Sequence, residues 1–311
     1  MVTVVQQAVQ LPPGVTVLER GWLSSNNILL SGEGPSVLVD SGYCSHSAQT
    51  LQLVEAALGG RPLDLLLNTH LHSDHCGGNA ALQAHYPALQ THIPPGQAQA
   101  VADWDGHALS FDATGQRCPR FRVDACLQPG SQVRLGALDW QVHAAPGHDN
   151  ESVMLFEPHH RLLLSADALW QNGFGVVFPE LVGEPGFEAV GQTLDLIEAL
   201  QPAIVVPGHG APFVDVADAL ARARKRLQGF VADPLRHRQH AAKVLLKFKL
   251  LEWQSVDQAV LLAWGQATPY VGRLLAQIFP QLELAQALQA LAQELVRAGA
   301  ASWQGEQLHN A

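Results

Sequence analysis

The chain has 311 residues, 47% of them hydrophobic, and a formal net charge of −10. That supplies one sizeable core and an accessory unit, while the absence of any run of about 18 uncharged apolar residues excludes a membrane-spanning helix. The opening stretch Met1 to Gln7 lacks the basic and apolar segments of a secretion signal, and four cysteines (Cys44, Cys76, Cys118, Cys126) show no framework spacing, so a cytoplasmic setting with reduced thiols is expected.

In chain order, short apolar or alternating runs predict strands at residues 15–18, 27–30, 36–40 and 63–68, with a helix over residues 47–58. Asp40, in Val39-Asp40-Ser41-Gly42, is either an acceptor for a ligand imidazole or a turn residue. The fourth strand runs into Thr69-His70-Leu71-His72-Ser73-Asp74-His75-Cys76-Gly77-Gly78. Three imidazoles and one carboxylate within six residues are ligand types that zinc and iron sites use. A turn lets such neighbours face inward together, which helical or strand periodicity would not. Cys76 reads as a small buried side chain under this loop.

A helix is predicted at residues 78–85. Residues 96–129, with Asp103, Asp105 and Asp112 among glycines and prolines, read as a substrate-side insertion. Further strands are predicted at residues 138–144, 152–156, 162–165 and 203–207. A helix over residues 187–200 repeats Val190, Leu194, Ile197 and Leu200 before Pro202 stops it. Three of these strands end in Pro146-Gly147-His148-Asp149, Ser165-Ala166-Asp167 and Pro207-Gly208-His209-Gly210. The ligand clusters are therefore expected to converge at one edge of a sheet within a layered α/β core. Trp170, Phe174 and Phe178 follow Asp167 on a glycine-containing segment, where Trp170 is placed to wall a pocket.

The series H-x-H-x-D-H, P-G-H, S-A-D and G-H-G resembles the metallo-β-lactamase superfamily of hydrolases over roughly residues 15 to 215. The resemblance implies a four-layer αβ/βα sandwich. It implies His70, His72 and His148 as ligands of one metal, Asp74, His75 and His209 as ligands of a second, and Asp167 as the carboxylate bridging both. Zinc is the default metal, and the all-His/Asp set also suits iron or manganese. Asp167 stands where some β-lactamase classes carry Cys, which points to the thioesterase, lactonase and nuclease branches. The implied reaction is hydrolysis of a thioester, acyl ester or lactone by a hydroxide held between the metals, with Asp74 orienting it and passing a proton to the leaving group. An endonuclease, a β-lactamase and a non-enzymatic metal-binding module are the alternatives.

Charge divides the chain. Residues 1–219 carry a net −15 and residues 220–311 a net +5, with nine of the 18 basic residues between Arg222 and Lys249. This places a catalytic domain at 1–219 and an accessory domain at 220–311. Helices are predicted at residues 216–229, 236–251, 255–264 and 282–298, followed by a hairpin over residues 300–308. Helices followed by a hairpin resemble the small winged-helix-like appendage of some superfamily members. Arg222 and Arg226 are candidate contacts for an anionic carrier, such as a glutathione or coenzyme A thioester. Nucleic acid is disfavoured by the acidic first part and by sparse aromatic interleaving. The remaining histidines, His237 and His240 among them, read as surface or core residues.

Overall fold

A computed structural model describes residues 9–311; the opening stretch read above for a secretion signal lies outside the described residues. The first sheet contains β1 (Val15–Leu18), β2 (Asn27–Leu30), β3 (Val37–Val39), β4 (Leu65–Leu67), β5 (Gln90–Ile93) and β6 (Ala125–Cys126), in that spatial order. Among these strands run α1 (Ser47–Leu58), α2 (Ser73–Cys76), α3 (Asn79–His85), α4 (Ala98–Asp103) and α5 (Phe111–Thr114). The second sheet contains β7 (Gln132–Leu135), β8 (Leu138–Ala144), β9 (Val153–Glu157), β10 (Leu162–Ala166) and β11 (Ile204–Pro207), with α6 (Phe178–Leu181) and α7 (Phe187–Leu200) before β11.

Strand periodicity explains the layering. Successive side chains point to opposite faces, and here both faces are buried, so the central strands read as continuous apolar runs. Ile28, Leu30, Val37, Val39 and Leu67 meet Trp140, Val142, Leu155, Leu162, Leu164 and Val206 between the sheets. The alternate residues Leu29, Leu38 and Leu66 pack outward on Val54, Leu58 and Leu82 of α1 and α3. On the far side, Phe156, Leu163 and Val205 pack on Val190, Leu194 and Ile197 of α7. The result is the expected four-layer αβ/βα sandwich.

The chain continues with α8 (Val216–Ala232), α9 (Pro234–Trp253), β12 (Ser255–Asp257), α10 (Gln258–Ala267), α11 (Pro269–Ile278), α12 (Leu284–Arg297), β13 (Ala301–Gln304) and β14 (Gln307–Asn310). The charge change near residue 219 falls within α8, whose Ala219, Leu220 and Ala223 pack with the second sheet. Helices α9 to α12 surround a further core that includes Leu246, Leu274, Leu288 and Leu291. Two expectations need correction here. Residues 255–257 open not as helix but as a strand that pairs with β14, giving a three-stranded antiparallel sheet in place of a lone hairpin. Asp257 then caps α10 by accepting from the Val260 amide. Helix α11 has no counterpart among the helices expected from the sequence. No helix among the described residues is long and apolar enough to cross a membrane.

Candidate metal centre

The ligand-type side chains come from both sheets, not from one sheet edge as expected. His70 and His72 follow β4, Asp74 and His75 lie on the single turn of α2, His148 follows β8, Asp167 follows β10 and His209 follows β11. Stacking the sheets brings the ends of these strands together. A register shift between Leu164 and Ala166, with Ala166 at φ 47°, turns Asp167 toward the other groups. Gly208 is required by this approach, because a Cβ there would stand 2.3 Å from Asp167 Oδ1.

Three compact donor sets result: His70, His72 and His148; His70, His75 and Asp167; and Asp74, His75 and His209. His72 Nδ1 lies 2.7 Å from His148 Nε2. Asp167 lies between the histidine groups, with Oδ2 3.4 Å from His148 Nε2 and Oδ1 3.5 Å from His75 Nε2. Asp74 Oδ2 is 3.1 Å from His209 Nε2. His70 Nε2 and His75 Nε2 are buried with no hydrogen-bond partner. Buried polar atoms are nearly always satisfied, so these two nitrogens, aimed into a ring of donors, fit divalent metal ions.

The outer nitrogens of His75 and His148 are held by hydrogen bonds, which orients their inner nitrogens toward the cluster. His75 Nδ1–H donates to Asp40 Oδ2 at 2.7 Å, and Asp40 also accepts from the Thr69 amide and hydroxyl at 2.9 and 2.8 Å. Asp40 holds φ 59°, uncommon for a residue with a Cβ. Its own backbone is tied to Leu67 and to the Asn27 side chain. His148 Nδ1–H donates to the Val176 carbonyl at 2.6 Å.

Electrostatics follow from burial and crowding. Burial, reinforced by neighbouring imidazoles, holds His70 well below the ordinary histidine pKa. Burial likewise brings His72 and His148 down to about 4. Burial also opposes charge on His75, but Asp40, Asp167 and Asp74 outweigh it and hold the ring well above its usual value. For Asp167 burial is outweighed by His75 and His209, which keep the carboxyl well below the usual range.

A cavity of about 450 Å³ opens on the cluster and is lined in part by His72, Asp74, His148, Asp167 and His209. Trp170 and Arg226 line it as well, whereas Arg222 is turned to Asp215 and the Gln171 carbonyl. Trp170 Nε1–H donates to Asp167 Oδ1 at 3.2 Å. Phe178 also lines the cavity and packs on the His72 ring, while Phe174 is buried in the core. Thr114 and Gln116, from the 96–129 insertion, reach the same space.

Sequence reasoning missed several wall residues. Trp22, 58% exposed, stacks on His209 with ring centroids 5.3 Å apart. His240 and Phe248 come from α9. The basic run around them is dispersed: Arg224 pairs with Asp195 and Glu198, Lys243 with Glu294, and Lys249 with Glu252. Cys76 is buried as expected, with its sulfur 3.7 Å from that of Cys118, and burial pushes its thiol well above the ordinary pKa.

The family profile described as Metallo-beta-lactamase superfamily matches residues 20–209, the span that carries every one of these donors. The chain belongs to the metallo-β-lactamase superfamily. This superfamily member is 29% identical over 222 residues to the Homo sapiens acyl-coenzyme A thioesterase MBLAC2, covering 62% of this chain and 76% of the relative. It is 36% identical over 148 residues to a hydroxyacylglutathione hydrolase of Anaeromyxobacter dehalogenans, covering 47% of each. The match thus spans about half the length of that hydrolase. A solved metallo-beta-lactamase family protein from Thermus thermophilus superposes with a TM-score of 0.59 at 19% identity, over 97% of this chain and 100% of that one. The chain is accordingly a hydrolase of this superfamily, with His/Asp clusters compatible with a metal site.

Proposed function

We propose that the protein hydrolyses a thioester or a related acyl ester or lactone, with glutathione and coenzyme A thioesters as the leading substrate classes. The observation that carries this reading is the junction of the donor cluster with a mostly apolar cavity: Asp74 and His209 face the same space as Trp170, Phe178 and Phe248. The thioester-cleaving relatives named above support it.

Two divalent ions, zinc by default with iron or manganese as alternatives, would be held by His70, His72 and His148, by Asp74, His75 and His209, and by Asp167 between them; they would supply a Lewis acid for the acyl oxygen and an acidified water. The protein's own part is positioning and proton handling. Asp74 is the more exposed of the two inward carboxylates, its side chain 15% accessible against 6% for Asp167. It sits at the cavity floor, where it takes the proton of the attacking water and delivers it to the departing thiolate or alkoxide. The acyl C–S or C–O bond breaks as a new C–O bond forms, leaving a carboxylic acid and a thiol or alcohol. Trp170 fixes Asp167 by its indole N–H, and the aromatic wall excludes bulk water from the acyl carbon.

In the proposed division of labour, residues 1–219 supply the chemistry and residues 220–311 supply part of the pocket wall. Four free cysteines fit a reducing, cytoplasmic setting. Fluorogenic thioester, lactone and RNA substrates tested side by side on metal-loaded protein check the proposal. Turnover of the thioester or lactone is expected; RNA cleavage without acyl hydrolysis would overturn it.

A further inference from the structure

The cavity carries one positive charge that the proposed chemistry does not use. Arg226, on α8, lines it beside the apolar residues Val244, Leu245 and Phe248 of α9. Its Nη1 donates to the Phe174 carbonyl at 3.2 Å, and the guanidinium carbon lies 6.0 Å from the Phe174 ring centroid. Gly173 adopts φ 127°, and a Cβ there would stand 2.6 Å from Arg226 Nη1.

The other arginines of this helix are neutralised. Arg222 meets Asp215 at 2.8 Å, and Arg224 meets Asp195 and Glu198 at 2.6 and 2.8 Å. Around Arg226 both influences oppose its charge, burial first and then nearby Arg236. Its neighbour His240 is held neutral, burial bringing it to about 4. A guanidinium remains protonated at any physiological pH and has five N–H donors in a planar fork. With one carbonyl engaged, most of the fork's donors are unspent, and the wall beside it carries Val244, Leu245 and Phe248 with the neutral His240.

We propose that Arg226 reads an oxyanion, a carboxylate or phosphate, on the bound molecule, so that the preferred substrate combines an apolar body with one anionic group. As a statement about substrate this rests on the acyl-hydrolase reading above; as a statement about binding it does not. The fork matches such groups two-pronged, and charge-assisted pairs are the stronger hydrogen bonds. The anion has two possible sources, the acyl chain or the leaving thiol.

Binding is tested with 1-octanesulfonate against 1-octanol on metal-loaded protein, followed by the fluorescence of the cavity tryptophans. The sulfonate should bind wild type about 10-fold more tightly or better, as one charge-assisted contact allows. That advantage should shrink to about 2-fold or less in Arg226→Gln and persist in Arg224→Gln. Should Arg226→Gln not fold, Arg226→Lys, which keeps the charge without the fork, should lose several-fold of it. Equal binding of the two probes to wild type, or an advantage undiminished at position 226, would overturn the proposal.

Two thioesters then locate the anion: an ω-carboxyacyl ester of neutral N-acetylcysteamine, and an unsubstituted acyl ester of 3-mercaptopropanesulfonate. The one whose kcat/KM falls further in Arg226→Gln carries the anion on the side that Arg226 reads. If neither is hydrolysed while the sulfonate preference stands, the acyl-hydrolase reading fails and the anion site survives.

Discussion

His148 and His237 grip opposite sides of a single peptide unit. The ring Nδ1–H of His148 donates to the Val176 carbonyl at 2.6 Å, and the amide of Val177, across the same peptide bond, donates to His237 Nε2 at 3.1 Å. A helix outside the sandwich thereby helps set the orientation of a candidate metal ligand. His237 must be neutral to accept this bond, and burial indeed holds its pKa down to about 4.

This sets a pH dependence. A histidine depressed below its unfolded pKa of about 6.5 takes up its proton on unfolding, so its stabilisation is present above that value and is lost as pH falls toward 4. For one such group the slope reaches about 1.4 kcal/mol per pH unit. Urea unfolding of metal-free protein between pH 6.5 and 4.5 should show a shallower decline in His237→Gln than in wild type. Parallel slopes in the two proteins would refute the assignment.

Metal content is expected to be close to two divalent ions per chain by elemental analysis. Asp167 lies within 3.5 Å of imidazole nitrogens from two donor sets, so Asp167→Ala should bind fewer ions than wild type. His209→Ala should lose chiefly the ion shared with Asp74 and His75. Fully active wild-type protein carrying only one ion would contradict the two-ion reading.

Asp74→Asn keeps size and a coordinating oxygen but removes the charge that accepts a proton. A lost general base lowers kcat by about 10² or more. Steady-state kinetics on protein confirmed to hold its full metal complement checks this, and near wild-type kcat would rule the role out.

Asp40 accepts three hydrogen bonds, one of them from His75. Asp40→Asn cannot accept all three in the same way, and loss of such a partner behind a metal-binding imidazole typically weakens metal affinity 10- to 100-fold. Competition with a chromophoric chelator measures it directly. Unchanged affinity would make Asp40 a turn residue only.

The four clusters of ligand-type side chains were legible because each follows an apolar strand, whereas the choice of seven residues among them rested on the resemblance to the metallo-β-lactamase superfamily. That they meet across two sheets was not, since nothing in residues 138–207 states which face of which sheet they cover. Strand β5, Gln90-Thr91-His92-Ile93, escaped notice because its polar alternation is short, and two-residue β6 offers no period at all. Trp22 lies far in sequence from His240 and Phe248, and all three lie outside every motif; only tertiary packing brings them to the cavity. The basic run from Arg222 to Lys249 read as one patch, yet Arg222, Arg224, Lys243 and Lys249 each turn to different acidic partners. Helical spacing scatters neighbours around an axis, which a linear count of charges ignores.

The cavity wall has two owners. The candidate metal ligands follow the strand ends of the sandwich, whereas Val244, Leu245 and Phe248 belong to α9, which packs into a separate core. Exchanging one apolar wall residue of α9 for another alters what fits in the cavity without touching any strand end that aims a histidine. Selectivity and reactivity in this chain can therefore be varied one at a time, and substrate preference is free to diverge between descendants that keep the same reactive centre.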